Sequence, residues 1–165
     1  MHTVIRKATR ADLPQILAFI RALADYEHLS HAVQLSEADL ERGGFGPRPF
    51  FECLIAEFEG RPAGYALYFF NYSTFRGQPG IYLEDLFVLP ELRGQGIGKA
   101  LLRRVASEAV QNHCGRFEWS VLDWNQPAID FYHSQGGQLM DEWRIVRVEG
   151  EALTRLAAAS GEESQ

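Results

Sequence analysis

Apolar residues recur at two kinds of spacing along this chain, and the switches between them mark its elements. Thr3 to Ala8 reads as a short strand. Leu13, Ile16, Leu17, Ile20, Leu23 and Ala24 then return at helical intervals, which predicts a helix running to about Tyr26, with Thr9 and Asp12 placed to cap its start. Ser36 to Glu41 predicts a shorter helix, capped by Ser36 and ended by Gly43-Gly44. From Phe51 to Phe58 and from Ala63 to Tyr72 the chain is aromatic and aliphatic, and Glu59-Gly60-Arg61-Pro62 between them predicts an antiparallel turn. Gln78-Pro79-Gly80 punctuates before the next strand, Ile81 to Leu89, which Pro90 closes.

After Arg93-Gly94-Gln95-Gly96-Ile97-Gly98 comes a long helix. Ile97, Leu101, Val105 and Ala109 repeat every fourth residue, while Lys99, Arg103 and Arg104 lie off that stripe. Phe117 to Leu122 predicts a strand and Asn125 to Gln135 a helix, with Asn125 as cap, Pro127 in the first turn and Gly136-Gly137 as the stop. Glu142 to Glu149 predicts the last strand. This order predicts an α+β fold: a mixed, mostly antiparallel sheet flanked by helices, with a parallel portion near its end.

Length and composition narrow the class. With 165 residues, 46% hydrophobic and 23% charged, the chain is sized for one domain with a continuous core, expected over residues 1–156, followed by a polar tail over 157–165. The start lacks an apolar signal region, and no stretch approaches the length of a spanning helix, so a cytoplasmic protein without a membrane partner is expected. Cys53 and Cys114 are too few and too far apart for a disulfide framework. The five histidines have no ligand-like spacing, so no metal is expected. A formal net charge of -6 argues against a nucleic-acid partner and is congenial to a cationic substrate.

The junction between the strand ending at Leu89 and the helix beginning near Gly96 is the informative segment. Glycines at 94, 96 and 98 leave backbone N–H groups uncovered at a helix N-terminus, which attracts phosphate. The dinucleotide fingerprint GxGxxG fails because Lys99 stands at its last glycine. A P-loop fails because Arg93 replaces its first glycine and Ala100 its magnesium-binding hydroxyl. What remains, Arg93-Gly94-Gln95-Gly96-Ile97-Gly98, resembles the R/QxxGxG/A pyrophosphate loop of the GNAT acetyltransferases.

Further segments extend the resemblance over nearly the whole chain: Val4-Ile5-Arg6, Tyr26-Glu27, Gly44-Phe45-Gly46, Tyr82-Leu83-Glu84-Asp85, Trp124-Asn125-Gln126-Pro127 and Phe131-Tyr132. Together they are similar to the diamine (spermidine/spermine) N1-acetyltransferase branch and its thialysine-acetylating sister branch. The resemblance implies the GNAT (acyl-CoA N-acyltransferase) fold, with a parallel strand pair splayed to hold coenzyme A, acetyl-CoA as co-substrate, and a homodimer. It also implies that pantetheine bonds the backbone around Leu86, Phe87 and Val88, and that Arg93 with the amides of Gly94, Gln95, Gly96, Ile97, Gly98 and Lys99 holds the pyrophosphate. Asn125, Pro127, Ala128 and Tyr132 complete the implied cofactor set, with Asn125 and Tyr132 at the thiol end. Tyr26, Glu27, Glu84, Asp85 and Trp143 are the implied amine contacts.

The chemistry asks for two proton handlers. An alkylammonium with pKa near 10.4 is deprotonated at pH 7 about once in 2,500 molecules, a gap worth about 4.6 kcal/mol if no base is supplied. Glu84 is the candidate base, because an apolar strand should desolvate its carboxyl and raise its pKa. On a straight strand its neighbour Asp85 points to the opposite face. Tyr132, whose phenol stays protonated at neutral pH, matches the family's general acid for the departing thiolate. Cys114 as an acyl-carrying nucleophile is disfavoured, since only the adjacent His113 is near in sequence. Direct transfer in a ternary complex is therefore expected. The stretch from Gln138 to Glu142 is shorter than in the polyamine enzymes, which leaves polyamine, diamine and lysine-like substrates open. A protein acetyltransferase and a non-catalytic acetyl-CoA-binding module are the alternatives.

Overall fold

A computed structural model describes residues 2–158 of the chain. It divides into two compact units, Met1–Ser120 and Val121–Gln165. No described helix is long and apolar enough to cross a membrane.

The first unit is built on a five-stranded sheet in the order β1 (Thr3–Lys7), β2 (Glu52–Phe58), β3 (Arg61–Ser73), β4 (Gln78–Val88), β5 (Arg116–Trp119). The first four strands run antiparallel, and β5 lies parallel to β4. Sequence neighbours pair wherever a hairpin allows it, and the single parallel pair uses the helix between its strands as a crossover. The β2–β3 hairpin is tighter than the four-residue turn its sequence predicts. Glu59 (φ 50°) and Gly60 (φ 76°) alone make the loop, both left-handed, and Arg61 and Pro62 already pair with β2. Such two-residue turns match the twist of the strands they join. Pro79 likewise falls inside β4, where β5 has not yet begun, so no ladder bond to β5 is forfeited.

Helix α1 (Leu13–Tyr26) lays Leu13, Ile16, Leu17 and Phe19 on one face of the sheet, against Cys53, Ile55, Tyr65, Leu67 and Phe87. Phe19 stacks on Tyr65 with centroids 5.7 Å apart. Arg6 fastens the start of this layer. Its guanidinium bonds both Asp12 oxygens at 2.8 Å and Glu57 at 2.7 Å, while Asp12 accepts from the Thr9 amide at 2.7 Å. The Arg6 bond, aided by Thr9, holds the Asp12 carboxyl down at about 2 despite its burial.

Helix α2 (Glu37–Phe45) begins at the expected Ser36 cap but runs through both glycines that were read as its stop. The Phe51 ring explains them. A Cβ on Gly43 would come within 2.9 Å of that ring, and one on Gly44 would overlap it. These glycines make room for an aromatic side chain and do not break the helix. On the other face of the sheet, α3 (Ile97–Gln111) buries Ile97, Leu101, Val105 and Ala109 as the four-residue repeat predicts, with Leu102 in addition.

The second unit contains α4 (Gln126–Ser134) and α5 (Gly150–Ala158). The strand predicted over Glu142 to Glu149 does not form. That segment has no ladder partner among the described residues, and Trp143, Ile145 and Val146 are 73%, 75% and 89% exposed. A strand is stable only where another edge completes its hydrogen bonds, so β propensity alone leaves it irregular. Ala157 and Ala158, expected to begin the polar tail, close α5, and residues 159–165 lie outside the described part.

Candidate functional site

Three features of the first unit converge where β4 ends. The first is a β-bulge. Leu67 faces Asp85 while its neighbour Tyr68 faces Leu83, which leaves Glu84 as the extra residue on β4. The bulge resets the alternation. Ile81 and Leu83 lie on the α3 side with Tyr68, whereas Phe87 joins Tyr65 and Leu67 under α1, and Asp85 follows Phe87. The straight strand assumed from sequence would have kept Ile81, Leu83, Asp85 and Phe87 on one face.

The second feature is the pair of acids carried at that bulge. Glu84 is exposed, contrary to the desolvated setting expected for it. Asp85 is the acid the core surrounds. Its carboxylate accepts a 2.9 Å hydrogen bond from the hydroxyl of Tyr65, a fully buried residue. Burial pushes the Asp85 carboxyl up to about 6, helped by the charges of Glu84 and Glu27, while the Tyr65 bond pulls the other way. The Tyr65 phenol is itself raised well above its ordinary value, by burial first and then by Asp85. Glu27, at the C-terminal end of α1, is likewise raised by burial. Glu84 and Glu27 thus both lie close enough for their charge to act on Asp85, and none of the three forms an ion pair with a lysine or arginine among the described residues. Such an arrangement favours a cation brought from outside.

The third feature is the loop from Arg93 to Lys99. Gly94 (φ 77°) and Gly96 (φ 80°) adopt left-handed conformations with open space where a Cβ would stand, and Gly96 caps α3. Among the described residues, none of the amides from Gly94 to Lys99 donates to a carbonyl in a turn or cap bond. Bare amides at the head of a fifteen-residue helix fit a diphosphate. The Arg93 side chain points elsewhere. Its Nε donates to the Val88 carbonyl at 3.1 Å, and its guanidinium lies 4.6 Å over the Tyr26 ring and 5.8 Å from that of Phe87. One face of Tyr26 is therefore occupied by an arginine belonging to the chain itself.

The same region leaves backbone available. β4 pairs with β5 only from Gly80 to Leu83, so from Glu84 through Leu86, Phe87 and Val88 its far edge has no parallel partner. The Val88 carbonyl on this edge already accepts from Arg93 Nε. Gly98 brings the head of α3 onto Val88, where a Cβ would meet Cγ2 at 3.7 Å.

The second unit gathers the remaining expected residues on one helix, except Trp143. Asn125 is 6% exposed and caps α4, its side-chain oxygen accepting from the Ala128 amide at 3.4 Å, with Pro127 in the first turn. Tyr132 is half-buried, its ring 5.4 Å from that of Phe131. Trp143 stands in the exposed irregular segment. No group of three or more potential metal ligands occurs among the described residues. Cys53 is buried and its thiol is pushed up to about 12, mainly by burial, which makes it a poor nucleophile.

Tyr65 was absent from the sequence reading, although a signal for it existed. A tyrosine at a core position of a hydrophobic strand must find an acceptor for its hydroxyl, and the nearest strand carried two acids.

Comparison with known proteins agrees with this geometry. The sequence profile of the Acetyltransferase (GNAT) family matches residues 15–136. Thialysine N-epsilon-acetyltransferase of Bos taurus is 45% identical over 165 residues, covering 93% of this chain and 96% of that protein. Spermidine/spermine N(1)-acetyltransferase-like protein 1 of Homo sapiens is 38% identical, covering 93% of this chain and 23% of that longer protein. Among solved structures, an integron cassette protein from the mobile metagenome of V.cholerae superimposes with a TM-score of 0.78 at 28% identity, covering 95% of this chain and 98% of its own.

Proposed function

The chain belongs to the GNAT acetyltransferase family and is an N-acetyltransferase of small amines; from that premise we propose that it acetylates the side-chain amine of a lysine-like amino acid or a short diamine. The single observation that carries this reading is the cluster of Glu27, Glu84 and Asp85, in which the charges of the first two repel that of Asp85 and none has a basic ion-pair partner among the described residues. An ammonium relieves that repulsion, and a neutral amine of similar shape does not. The bovine relative's name favours a thialysine-type substrate, and the human relative's name keeps polyamines in view.

Acetyl-CoA supplies the activated acetyl group as a thioester. The amides of Gly94 to Lys99 hold its diphosphate, and the free edge of β4 at Leu86 and Val88 accepts its pantetheine arm. The amine is held by Glu27 and the β4 acids. A carboxylate of β4 assists its deprotonation, the role that sequence reasoning gave to Glu84. Tyr132 protonates the departing thiolate, and both substrates are bound together when the acetyl group moves. Burial raises the thiol of Cys114, the cysteine considered for an acyl-carrying role, which favours this direct route over an acylated cysteine.

A homodimer is also proposed. The exposed run of Trp143, Ile145 and Val146, in a segment rich in β-forming residues, supports it, since apolar side chains clustered in one exposed segment suit a protein interface. Sedimentation at micromolar concentration checks this, and a monomer there rejects it.

The functional test is a panel at fixed acetyl-CoA comprising thialysine, lysine, putrescine and spermidine, followed by thiol release. Turnover of at least one amine, with loss on Tyr132→Phe of about a hundredfold or more, is expected. If no amine on the panel is acetylated while a protein lysate is, the substrate class is wrong.

A further inference from the structure

The side chain of Arg93 takes no part in the steps above, yet it ties separate pieces of the first unit together. Its backbone opens the glycine loop, and its amide donates to the Pro90 carbonyl at 3.3 Å. Its Nε donates at 3.1 Å to the carbonyl of Val88, the last residue of β4. Its guanidinium lies 4.6 Å over the ring of Tyr26, the last residue of α1, and 5.8 Å from that of Phe87. Glu27, an acid of the amine cluster, follows Tyr26 directly and caps that helix. One side chain therefore reaches from the first residue of the diphosphate loop to the helix end that carries an amine-binding carboxylate.

The middle of this link is fixed and its ends are not. Val88 is paired with Gly64 in the sheet, and the Leu89 amide donates to Ala63 at 2.9 Å, so the carbonyl that receives Arg93 is held firmly. The loop, by contrast, has left-handed glycines at 94 and 96, and among the described residues its amides make no turn or cap bonds. Such backbone has much freedom to lose when a ligand orders it. The end of α1 closes through single bonds from the Glu27 amide to Leu23 and from the Leu29 amide to Ala24, and a helix terminus is where local opening costs least. A guanidinium suits the junction because it donates hydrogen bonds in its plane while an aromatic ring packs on its face.

We propose that Arg93 is a positioning residue that couples the two binding sites through Tyr26. A diphosphate seated on the loop amides holds Arg93 against Tyr26 and so orders the end of α1 for the amine; an amine held by Glu27 orders the loop in return. This rests on the functional reading above and deepens it. Tyr26 serves, on the face that Arg93 covers, as a platform for that arginine and not for the substrate. The coupling is reciprocal: the factor by which the amine tightens the cofactor equals the factor by which the cofactor tightens the amine.

The test is calorimetric titration of coenzyme A, without its acetyl group so that nothing turns over, in the absence and presence of the saturating amine that the panel favours. In the unmodified protein the amine should tighten coenzyme A about tenfold, the scale set by a cation over an aromatic ring together with a charged hydrogen bond. Arg93→Met should bring that factor close to one, whatever it does to the affinity for coenzyme A alone. Tyr26→Leu should do the same, and Tyr26→Phe, which keeps the ring, should retain the coupling. Hydrogen exchange read by NMR gives a second measurement. Coenzyme A alone should slow exchange of the Glu27 and Leu29 amides in the unmodified protein and leave it unchanged in Arg93→Met.

If Arg93→Met does not fold, the comparison of Tyr26→Leu with Tyr26→Phe decides. An arginine that only stiffens its own loop would weaken coenzyme A in Arg93→Met and leave the coupling factor intact, and that result overturns the proposal. So does a factor near one in the unmodified protein, a factor kept by Tyr26→Leu or lost in Tyr26→Phe, or exchange at the end of α1 that coenzyme A does not slow. Failure of the unmodified protein to bind coenzyme A, or to bind any amine of the panel, would instead overturn the functional reading.

Discussion

A carboxyl group that the fold raises from an ordinary 3.8 to about 6 weakens the fold whenever it is ionised, and Asp85 is such a group. Its folded-state pKa lies above its unfolded one. Between about pH 4 and pH 6 the folded chain therefore keeps a proton that the unfolded chain has released, and stability falls as pH rises through that window. Below it the group is protonated in both states; above it the full penalty applies. About two pH units of difference correspond to about 3 kcal/mol at neutral pH, an upper bound because the residue keeps some contact with solvent.

Asp85→Asn removes the charge while leaving an oxygen that can still accept from Tyr65. It should match the unmodified protein near pH 3.5 and exceed it by up to about 3 kcal/mol at pH 7.5, or roughly 6 °C in Tm for a chain of this length. Urea unfolding followed by circular dichroism at both pH values measures the difference. Equal stability at pH 7.5, or a gap that does not change between pH 4 and pH 7, would refute the reasoning, because it would mean that the carboxylate is already solvated.

Gly44→Ala should destabilise the protein by about 1–3 kcal/mol, because its methyl group would enter the Phe51 ring; in a double-mutant cycle with Phe51→Ala that cost should largely disappear. Arg6→Ala should move acid unfolding to higher pH, read by ellipticity against pH. Arg6 holds the Asp12 carboxyl near 2, and the resulting stability is present above about pH 4 and lost as pH falls toward 2. Gly96→Ala should weaken acetyl-CoA binding about tenfold by calorimetry with little effect on the amine site, since a φ of 80° strains any residue with a Cβ by about 1–2 kcal/mol.

Much of the fold was legible from local pattern. The stripe of α1, the four-residue repeat of α3, the Ser36 and Asn125 caps and the closing Pro90 each depend on residues within a few positions of one another, and each stands where periodicity and capping put it. The glycine loop belongs to the same class. The unusual φ angles of Gly94 and Gly96 are a local demand that only glycine meets cheaply, so the residue type announces the conformation.

Several misread features turned on a partner outside the local pattern. Gly43 and Gly44 looked like a helix stop because nothing nearby reveals that the Phe51 ring packs on them. Glu142 to Glu149 has the composition of a strand, but a ladder needs a second edge, and composition cannot supply one. Glu84 and Asp85 announced acid chemistry by their place in an apolar run. Which of them is desolvated depended on one inserted residue in the pairing of β4 with β3, and on Tyr65 twenty positions earlier. The sequence by itself determined the elements, the anion-binding loop and the chemical class, because those follow from short-range backbone and periodicity constraints. Only the tertiary structure decided that the Asp85 carboxyl is desolvated and raised, because a pKa is set by whatever surrounds the group in space, and those neighbours come from β3, β4 and the end of α1.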